Sequence, residues 1–350
     1  MSSSTMTMAE AINAGIRQEM RRDPNIVLLG QDIGPYGGTF GVYKGLYDEF
    51  GEDRVRDGPL CEAATCGFGI GLALAGMPAI VAIEFDDFLT LASDALVNQA
   101  AKMRSFFGGQ VKVPLVVRTP VVNRLGLGAQ HSQSLEAWFM HVPGLRVVMP
   151  SNPEDAKGLI IQSIRDPNPV LFIENVRLYT LRGMVPDAAE PIPFGKLRVL
   201  REGGDLTIVT YSGMVEPCLK AAEAAAAVGI ECEVLDLRTL SPLDRAGICA
   251  SVRKTGKLVI AHEAVRTGGP AAEVAQSVIE GAFDYLEAPI IRVTGKDLPI
   301  PVGALQEEVF PNSADVERAI KQLMQQRHAL KHYPTNPAGM AGKNVDHPLL

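Results

Sequence analysis

The chain has 350 residues, of which 47% are hydrophobic and 21% are charged, and its formal net charge is −7. This composition is that of an ordinary folded protein, the length predicts about two domains, and the negative charge argues against nucleic acid or an anionic membrane as a partner. Its first residues lack a basic segment followed by an apolar stretch, and no run approaches the roughly 18 apolar residues of a membrane helix. We therefore expect a cytoplasmic protein, or a mitochondrial matrix protein whose transit peptide has been removed.

Strand-like and helix-like segments alternate through the first half. Helical spacing predicts helices over 6–22, 63–75 and 89–106, and a helix that begins near 151–155 with a cap, a proline and two acids. Short apolar runs predict strands at 25–29, 79–85, 113–118, 145–149 and 169–174, with a polar loop at 119–130. Short apolar strands between helices indicate a parallel sheet covered on both faces.

Prolines and glycines interrupt this rhythm between residues 180 and 204, and a second series follows. It consists of predicted strands at 206–210, 232–237, 258–262 and 290–293 and predicted helices at 214–228, 243–253, 271–282 and 314–326. The sequence thus predicts an α/β protein with a first domain at 1–180, a linker at 181–203, a second domain at 204–327 and an irregular tail at 328–350.

Five scattered cysteines, at positions 61, 66, 218, 232 and 249, show no spacing typical of a zinc site. We expect buried reduced thiols.

Glu62 is the most informative acidic residue. It follows Pro59-Leu60-Cys61 and precedes the small-residue run at 63–71, so it stands where a helix is predicted to begin. A negative charge is favoured at that end of a helix. The carboxylate either caps its own helix or faces a ligand, and its position alone does not decide between the two.

His131 lies on the loop after the strand predicted at 113–118, at the carboxyl end of a parallel strand, where open α/β sheets bind ligands. A hydrogen-bonded surface histidine is the alternative interpretation. The chain has no Gly-x-Ser-x-Gly elbow, no P-loop and no correctly spaced dinucleotide motif. It also lacks a Gly-Asp-Gly motif followed by an Asn pair, the usual magnesium-diphosphate anchor of thiamine enzymes.

The helix end at 163–168 leaves carbonyl groups free, with Asp166 and Asn168 beside them. Such oxygens suit a hard cation, although an ordinary helix-to-strand turn is the more frequent explanation.

Taken together, these segments resemble the beta subunit of the thiamine-diphosphate-dependent first component of 2-oxo acid dehydrogenases, a family that includes the pyruvate, branched-chain 2-oxo acid and acetoin enzymes. The resemblance runs from about Thr5 to Gln326. It rests on the order and spacing of stretches that include Pro59-Leu60-Cys61-Glu62, Phe85-Asp86-Asp87-Phe88, Gln130-His131-Ser132-Gln133-Ser134 and Asp236-Leu237-Arg238-Thr239-Leu240. It implies a transketolase-type pyrimidine-binding domain followed by a transketolase C-terminal α/β domain, both with mainly parallel sheets.

The resemblance also implies roles for single residues. Glu62 matches the glutamate that hydrogen-bonds the aminopyrimidine ring of thiamine diphosphate and so promotes ionisation of the cofactor. Phe88 and Leu60 match positions against the pyrimidine, and His131 matches a catalytic histidine near the substrate and the lipoyl group. In this family the alpha subunit carries the diphosphate and its magnesium, so the cofactor would lie at the alpha–beta interface.

A potassium site and a docking site are implied in the same way. The potassium ligands would be Leu115, Val116, Ser163, Ile164, Asp166 and Asn168, largely through carbonyl groups. Glu287 matches an acidic position that meets the peripheral-subunit-binding domain of the dihydrolipoamide acyltransferase core.

Three positions depart from the family pattern: Gln31 stands where many members have Glu, Glu84 adds a charge near the cofactor, and Asp86 is unusual beside Asp87. These departures leave the choice of 2-oxo acid open. The sequence therefore predicts the beta subunit of an alpha2beta2 first component that decarboxylates pyruvate or a branched-chain 2-oxo acid and passes the acyl group to lipoyl-lysine. The alternatives are an acetoin dehydrogenase beta subunit and a catalytically silent scaffold subunit.

Overall fold

The structure is a computed structural model that describes residues 2–326. Strands in chain order are β1 (Ser3–Thr7), β2 (Val27–Gly30), β3 (Val55–Asp57), β4 (Ala79–Ala82), β5 (Leu115–Val121), β6 (Arg146–Val148), β7 (Val170–Asn175), β8 (Arg182–Pro186), β9 (Arg198–Arg201), β10 (Leu206–Thr210), β11 (Cys232–Asp236), β12 (Thr239–Ser241), β13 (Leu258–Val265) and β14 (Ile291–Gly295). Helices are α1 (Met8–Arg22), α2 (Leu46–Phe50), α3 (Glu62–Leu74), α4 (Ala101–Phe106), α5 (Glu136–Met140), α6 (Pro153–Arg165), α7 (Val215–Ala226), α8 (Arg245–Thr255), α9 (Pro270–Ala282) and α10 (Ser313–Gln326).

Six strands of the first half, together with β12 from the second half, form a seven-stranded sheet in the order β12-β6-β7-β5-β4-β2-β3. Every neighbouring pair from β6 to β3 is parallel, and β12 pairs antiparallel with β6 at the edge. The central strands β2, β4, β5 and β7 are buried along their whole length. Helices therefore cover both faces, as the apolar runs predict.

The second half forms a five-stranded sheet in the order β14-β13-β10-β11-β9, parallel except for β9. Helix α7 and helix α10 pack together on this sheet around buried side chains that include Cys218, Val316 and Leu323. A mainly parallel α/β architecture is confirmed for both halves.

Helix α1 shows how local sequence places an element. Thr7 caps it, and its side chain accepts a hydrogen bond from the backbone N–H of Glu10, whose carboxylate accepts the N–H of Thr7 in return. Ile12 and Ile16 lie on its buried face, which packs on α6. Gly15 allows that close approach, because a Cβ there would come 2.5 Å from a methyl carbon of Ile160.

The structure differs from the sequence predictions in three places. The helix predicted at 89–106 is a 3-10 helix at Asp86–Thr90, a π-helical segment at Asp94–Ala100 and then α4. Two stretches of the predicted linker form strands, β8 against β1 and β9 against β11, because partners from distant parts of the chain complete them. Cys61 is exposed, whereas the other four cysteines are buried, and all five are free thiols. The tail predicted at 328–350 lies outside the described residues.

Buried polar contacts join the two halves. Asp155 of α6 pairs with Arg238, and Ser151 donates a hydrogen bond to Asp236 at the end of β11. Tyr211, just after β10, donates a hydrogen bond of 2.7 Å to Glu136 at the start of α5. The loop that carries His131 is thereby held against the second half.

Candidate functional site

The candidate residues converge at one edge of the seven-stranded sheet. Strands β3, β2, β4 and β5 are neighbours and run parallel, so their carboxyl ends meet at that edge. The segments that follow them carry Glu62 after β3, Gln31 after β2, Glu84 and Phe88 after β4, and His131 after β5. This is the edge at which open α/β sheets bind ligands.

Glu62 is the first residue of α3 and is half-buried. Cys61 occupies the cap position without a side-chain capping bond, so Glu62 does not belong to a capping box. Within residues 2–326, its carboxylate accepts no hydrogen bond and has no basic partner. Its charge contributes to raising the pKa of the Cys66 thiol to about 12, although burial of that thiol is the larger cause. The carboxylate is available to a ligand.

The surface around Glu62 is apolar and open. Leu60 is 72% exposed and Phe68 is 54% exposed, and Cβ atoms added at Gly67 or Gly71 would meet nothing within 4 Å. A cleft of about 730 Å³ opens beside the helix start. Exposed apolar side chains on a helix with small residues are typical of a surface that another molecule covers.

Phe88 and His131 are in contact at this edge. The His131 ring meets Phe88 edge-on with 5.3 Å between ring centroids, and it meets Phe85 at 4.9 Å. Phe85 and Phe88 also touch each other. Two aromatic rings therefore fix the histidine side chain, and Phe85 is a member of the site whose contact was not predicted.

Asp86 and Asp87 accept hydrogen bonds from the loop that carries His131. Asp87 accepts hydrogen bonds from the backbone N–H and the side-chain amide of Gln133, at 3.3 and 2.8 Å. Asp86 accepts the backbone N–H of Leu135 at 2.6 Å and is fully buried. The sequence places Asp86 in a stretch that carries the resemblance and marks it as unusual beside Asp87, but it does not predict this contact; the available signal is a pair of acids in an otherwise apolar segment.

Glu84 lies beside a buried polar cluster. Burial raises the pKa of its carboxyl above the usual value, while the Thr39 hydroxyl and the Arg118 charge act in the opposite direction. Arg118 of β5 pairs with Glu174 of β7, and Tyr43 contacts the same guanidinium. The positive charge of Arg118 thus lies near the Glu84 carboxylate, which the sequence marks as a departure from the family pattern.

The predicted cation turn is compact and its side chains are already paired. Asn168 donates two hydrogen bonds to Asp166, whose other carboxylate oxygen lies 2.8 Å from Nε of Arg146. Ser163 donates to the Leu159 carbonyl at 2.7 Å. Backbone N–H of Val113 donates to the Pro167 carbonyl, which brings the turn to the start of β5, where Leu115 and Val116 lie. A cation here would therefore be held by carbonyl groups.

Glu287 belongs to the second half of the chain. Its carboxylate pairs with the ammonium group of the buried Lys257, at 2.8 Å between Oε2 and Nζ. Its side chain is still 51% exposed, so the outer part of the carboxylate faces solvent.

Within the described residues, no cluster of three or more His, Cys, Asp or Glu side chains is placed to hold a metal ion. None of the helices in that part of the chain is both long and apolar enough to span a bilayer.

Comparisons with known proteins place the two halves. Residues 4–182 match the pyrimidine-binding domain of transketolase, and residues 195–316 match the transketolase C-terminal domain. The fold is also that of a solved structure described as a split-gene transketolase in an inactive beta4 tetramer, with a TM-score of 0.76. That likeness covers 92% of this chain and 99% of the other, at 21% identity, and shows the fold alone.

Curated relatives match nearly the whole chain. A mitochondrial pyruvate dehydrogenase E1 component subunit beta-1 of Arabidopsis thaliana is 44% identical over 322 residues, which is 91% of this chain and 89% of the relative. The pyruvate dehydrogenase E1 beta subunit of Rickettsia felis is 43% identical, covering 91% and 98%. The beta subunit of an acetoin:2,6-dichlorophenolindophenol oxidoreductase of Cupriavidus necator is 44% identical, covering 90% and 96%.

Proposed function

We propose, because this chain belongs to the family of 2-oxo acid dehydrogenase E1 beta subunits, that it catalyses thiamine-dependent oxidative decarboxylation of pyruvate or a branched-chain 2-oxo acid together with an alpha subunit. The observation that carries the proposal is the carboxylate of Glu62, which begins α3 at the ligand-binding edge of the sheet and has no partner within residues 2–326. The acyl group would pass to lipoyl-lysine of an acyltransferase core.

Thiamine diphosphate fits the residues at this edge. When bound, the cofactor supplies a carbanion equivalent and an electron sink for decarboxylation. Glu62 would hydrogen-bond the ring nitrogen of the aminopyrimidine, and Phe88 and Leu60 would contact the face of the ring. Glu84 would add a carboxyl group near it. His131, fixed by Phe85 and Phe88, would move protons near the substrate at neutral pH.

An alpha subunit is the proposed partner because this chain supplies only half of such a site. The sequence has no Gly-Asp-Gly anchor for the diphosphate, so the alpha subunit would hold the diphosphate and its magnesium. The exposed Leu60 and Phe68 lie beside Glu62, where that partner would cover them. An alpha2beta2 assembly in the cytoplasm, or in a mitochondrial matrix, is part of this proposal.

One experiment tests the function. The chain is produced with its alpha subunit, and the assembled enzyme is assayed with thiamine diphosphate and an artificial electron acceptor on pyruvate, branched-chain 2-oxo acids and acetoin. We expect activity on a 2-oxo acid from the assembly and none from the beta chain alone. Activity of the isolated chain, or an assembly that binds thiamine diphosphate without turning over any of these substrates, would contradict it.

Acetoin cleavage is a second candidate, because the Cupriavidus relative is as similar as the pyruvate dehydrogenase subunits are. The same assay decides between them by the substrate with the highest kcat/KM. A silent scaffold subunit is disfavoured by the retention of Glu62 and His131 at the sheet edge.

A potassium ion at the 163–168 turn is a further part of the proposal. We expect potassium to raise the thermal midpoint of the chain more than sodium does at equal ionic strength, because binding to the folded state alone stabilises it. The measurement is a melting curve in each salt. Equal midpoints in the two salts would identify an ordinary turn, held by Asp166, Arg146 and Asn168.

Glu287 is the proposed contact with the acyltransferase core. Its exposed carboxylate suits a basic domain, and its pairing with Lys257 fixes its position. We expect Glu287→Gln to weaken binding of the core's peripheral-subunit-binding domain, measured by calorimetry, without lowering decarboxylation by the assembled enzyme.

A further inference from the structure

The loop between β5 and His131 contains a turn, residues 124–128, that packs on the second half of the chain. The segment against which it packs is residues 302–311, which include a 3-10 helix at Gly303–Glu308. Asn123, just before the turn, is fully buried, yet within residues 2–326 its side-chain amide makes no hydrogen bond. The 124–128 turn is therefore held by contacts other than that amide.

Arg124 contacts the second half through its guanidinium group. Nη1 pairs with the Glu307 carboxylate, and Nη2 donates a hydrogen bond of 2.5 Å to the Pro311 carbonyl. Nε lies 3.5 Å from Oε1 of Glu263 on β13, and the guanidinium carbon lies 5.1 Å from the centroid of the Phe310 ring. The Arg124 side chain is only 10% exposed. Because water screens these charges less than it does at an open surface, the attraction between them is stronger.

Backbone contacts extend the attachment along the turn. The N–H of Gly126 donates to Oε1 of the buried Gln306 at 2.9 Å, and the N–H of Gly303 donates to the Gly126 carbonyl at 3.3 Å. Leu127 forms an isolated antiparallel bridge with Val302. A Cβ added at Gly126 would come 3.4 Å from the backbone of Gly303, so the two segments lie close together.

The backbone of Arg124 is itself in an uncommon conformation. Its φ is +59°, in the left-handed region that residues with a Cβ occupy at a cost in free energy. Such a conformation persists where the surrounding contacts favour it, and the guanidinium contacts of Arg124 do so. Removal of that side chain therefore releases a backbone that has more favourable conformations available.

His131 follows the 124–128 turn by three residues. Its backbone N–H donates to the Gly128 carbonyl at 3.4 Å, and beyond it Asp87 accepts the N–H of Gln133. The loop is thus attached to the second half before His131 and to the first half after it. Release of the turn would move the His131 ring relative to Phe88, with which it is in contact.

We propose that Arg124 and Gln306 are positioning residues, which hold the 124–128 turn on the 302–311 segment and thereby place His131 at the ligand-binding edge of the first sheet. Through this contact, a segment that follows β14 of the second sheet determines the geometry at the carboxyl ends of the first sheet. The effect on turnover rests on the proposed function, whereas the attachment of the turn is a property of the chain alone.

The first test uses the beta chain and needs no activity. It measures the rate at which diethyl pyrocarbonate modifies His131, located by tandem mass spectrometry. His141, which is exposed and lies outside the turn, is the internal reference. We expect Arg124→Met and Gln306→Ala each to raise the rate at His131, relative to that at His141, several-fold, because the released loop leaves its contact with Phe88.

Arg177→Met is the matched control. Nη1 of Arg177 lies 3.3 Å from Oε1 of the same Glu263, but Arg177 follows β7 and lies outside the turn, so the ratio of rates should stay unchanged. Arg124→Lys, which keeps the positive charge, should raise the ratio by less, and it replaces Arg124→Met if that variant does not fold. Equal ratios in the wild type, Gln306→Ala and the folded Arg124 variant would overturn the attachment, as would an equal rise in Arg177→Met.

The second test uses the assembled enzyme. We expect Arg124→Met to lower kcat for the 2-oxo acid by roughly 10- to 100-fold with little change in KM, since a misplaced catalytic group slows the chemical step. Arg124→Lys should recover part of the loss, and Arg177→Met should retain the wild-type kcat. Arg124→Met combined with Gln306→Ala should lower kcat no further than the more damaging single change, because both release the same turn.

Wild-type kcat in both Arg124→Met and Gln306→Ala would overturn the positioning role, and so would losses that multiply in the double variant. If the wild-type assembly turns over neither a 2-oxo acid nor acetoin while the reactivity of His131 changes as expected, the proposed function fails and the attachment of the turn stands.

Discussion

Glu62→Gln in the assembled enzyme is expected to lower turnover of the 2-oxo acid by roughly 100- to 1000-fold. The substitution keeps the size and position of the side chain at the start of α3 but replaces the carboxylate with an amide. A neutral amide cannot exchange a proton with the ring nitrogen of the aminopyrimidine, so the cofactor's ionisation loses its support. Because Glu62 accepts no hydrogen bond within residues 2–326, the loss should come without a large change in stability.

Turnover under saturating thiamine diphosphate is the measurement, with cofactor affinity determined by calorimetry and the thermal midpoint recorded alongside. Glu223→Gln, an identical change at an exposed position of α7, is the matched control and should retain full turnover. Turnover of Glu62→Gln within twofold of the wild type would remove Glu62 from the mechanism.

Arg118→Ala should destabilise the fold by about 3–5 kcal/mol, because it leaves the buried charge of Glu174 without its cationic partner and with only the hydrogen bond from Tyr179. The side chains of Arg118 and Glu174 are 3% and 0% exposed on adjacent strands. Burial raises the pKa of Glu174 in spite of Arg118, which indicates that desolvation outweighs the attraction for that group. The intact Arg118–Glu174 pair therefore adds little to the free energy of unfolding, whereas removing one partner lowers that free energy substantially.

Denaturant unfolding of the chain measures this effect. Lys220→Ala breaks the exposed i,i+4 pair with Glu216 and should leave the midpoint almost unchanged. Replacing both partners, as Arg118→Met with Glu174→Leu, should recover much of the loss, since an apolar pair needs no desolvation. A midpoint for Arg118→Ala that equals that of Lys220→Ala would contradict the account.

Local sequence was enough to locate Glu62 at a helix start and to locate the central strands along the chain. A proline, an acid and a small-residue run lie within a dozen positions, and the helix begins at Glu62. Parallel strand order then brings Phe88 and His131 to one edge, although they are 43 positions apart (131 − 88). Their chemical roles stay predictions, as do the domain boundaries at 181–203.

Contacts between segments that are far apart in the chain cannot be predicted from local sequence. Asp86 reaches Leu135 across 49 positions, and β1 pairs with β8 across 175 positions at Thr7 and Arg182 and 183 positions at Ser3 and Pro186. Whether such a stretch forms a strand depends on the neighbouring strand with which it makes backbone hydrogen bonds. The sequence of the stretch does not identify that neighbouring strand. For the same reason the prolines around 186–193 predict a linker, although β8 and β9 lie within it.

The short strand β12 follows the second half's first two parallel strands in sequence, yet it completes the edge of the other sheet by pairing with Val147 and Val148. A fragment that ends in the 181–203 segment would leave that edge uncovered, with unpaired backbone groups available to a second molecule. A fragment that begins in the 181–203 segment would contain β12 without β6, the strand with which it pairs. Recombinant halves should therefore aggregate or remain unfolded, and the chain should melt in a single cooperative transition.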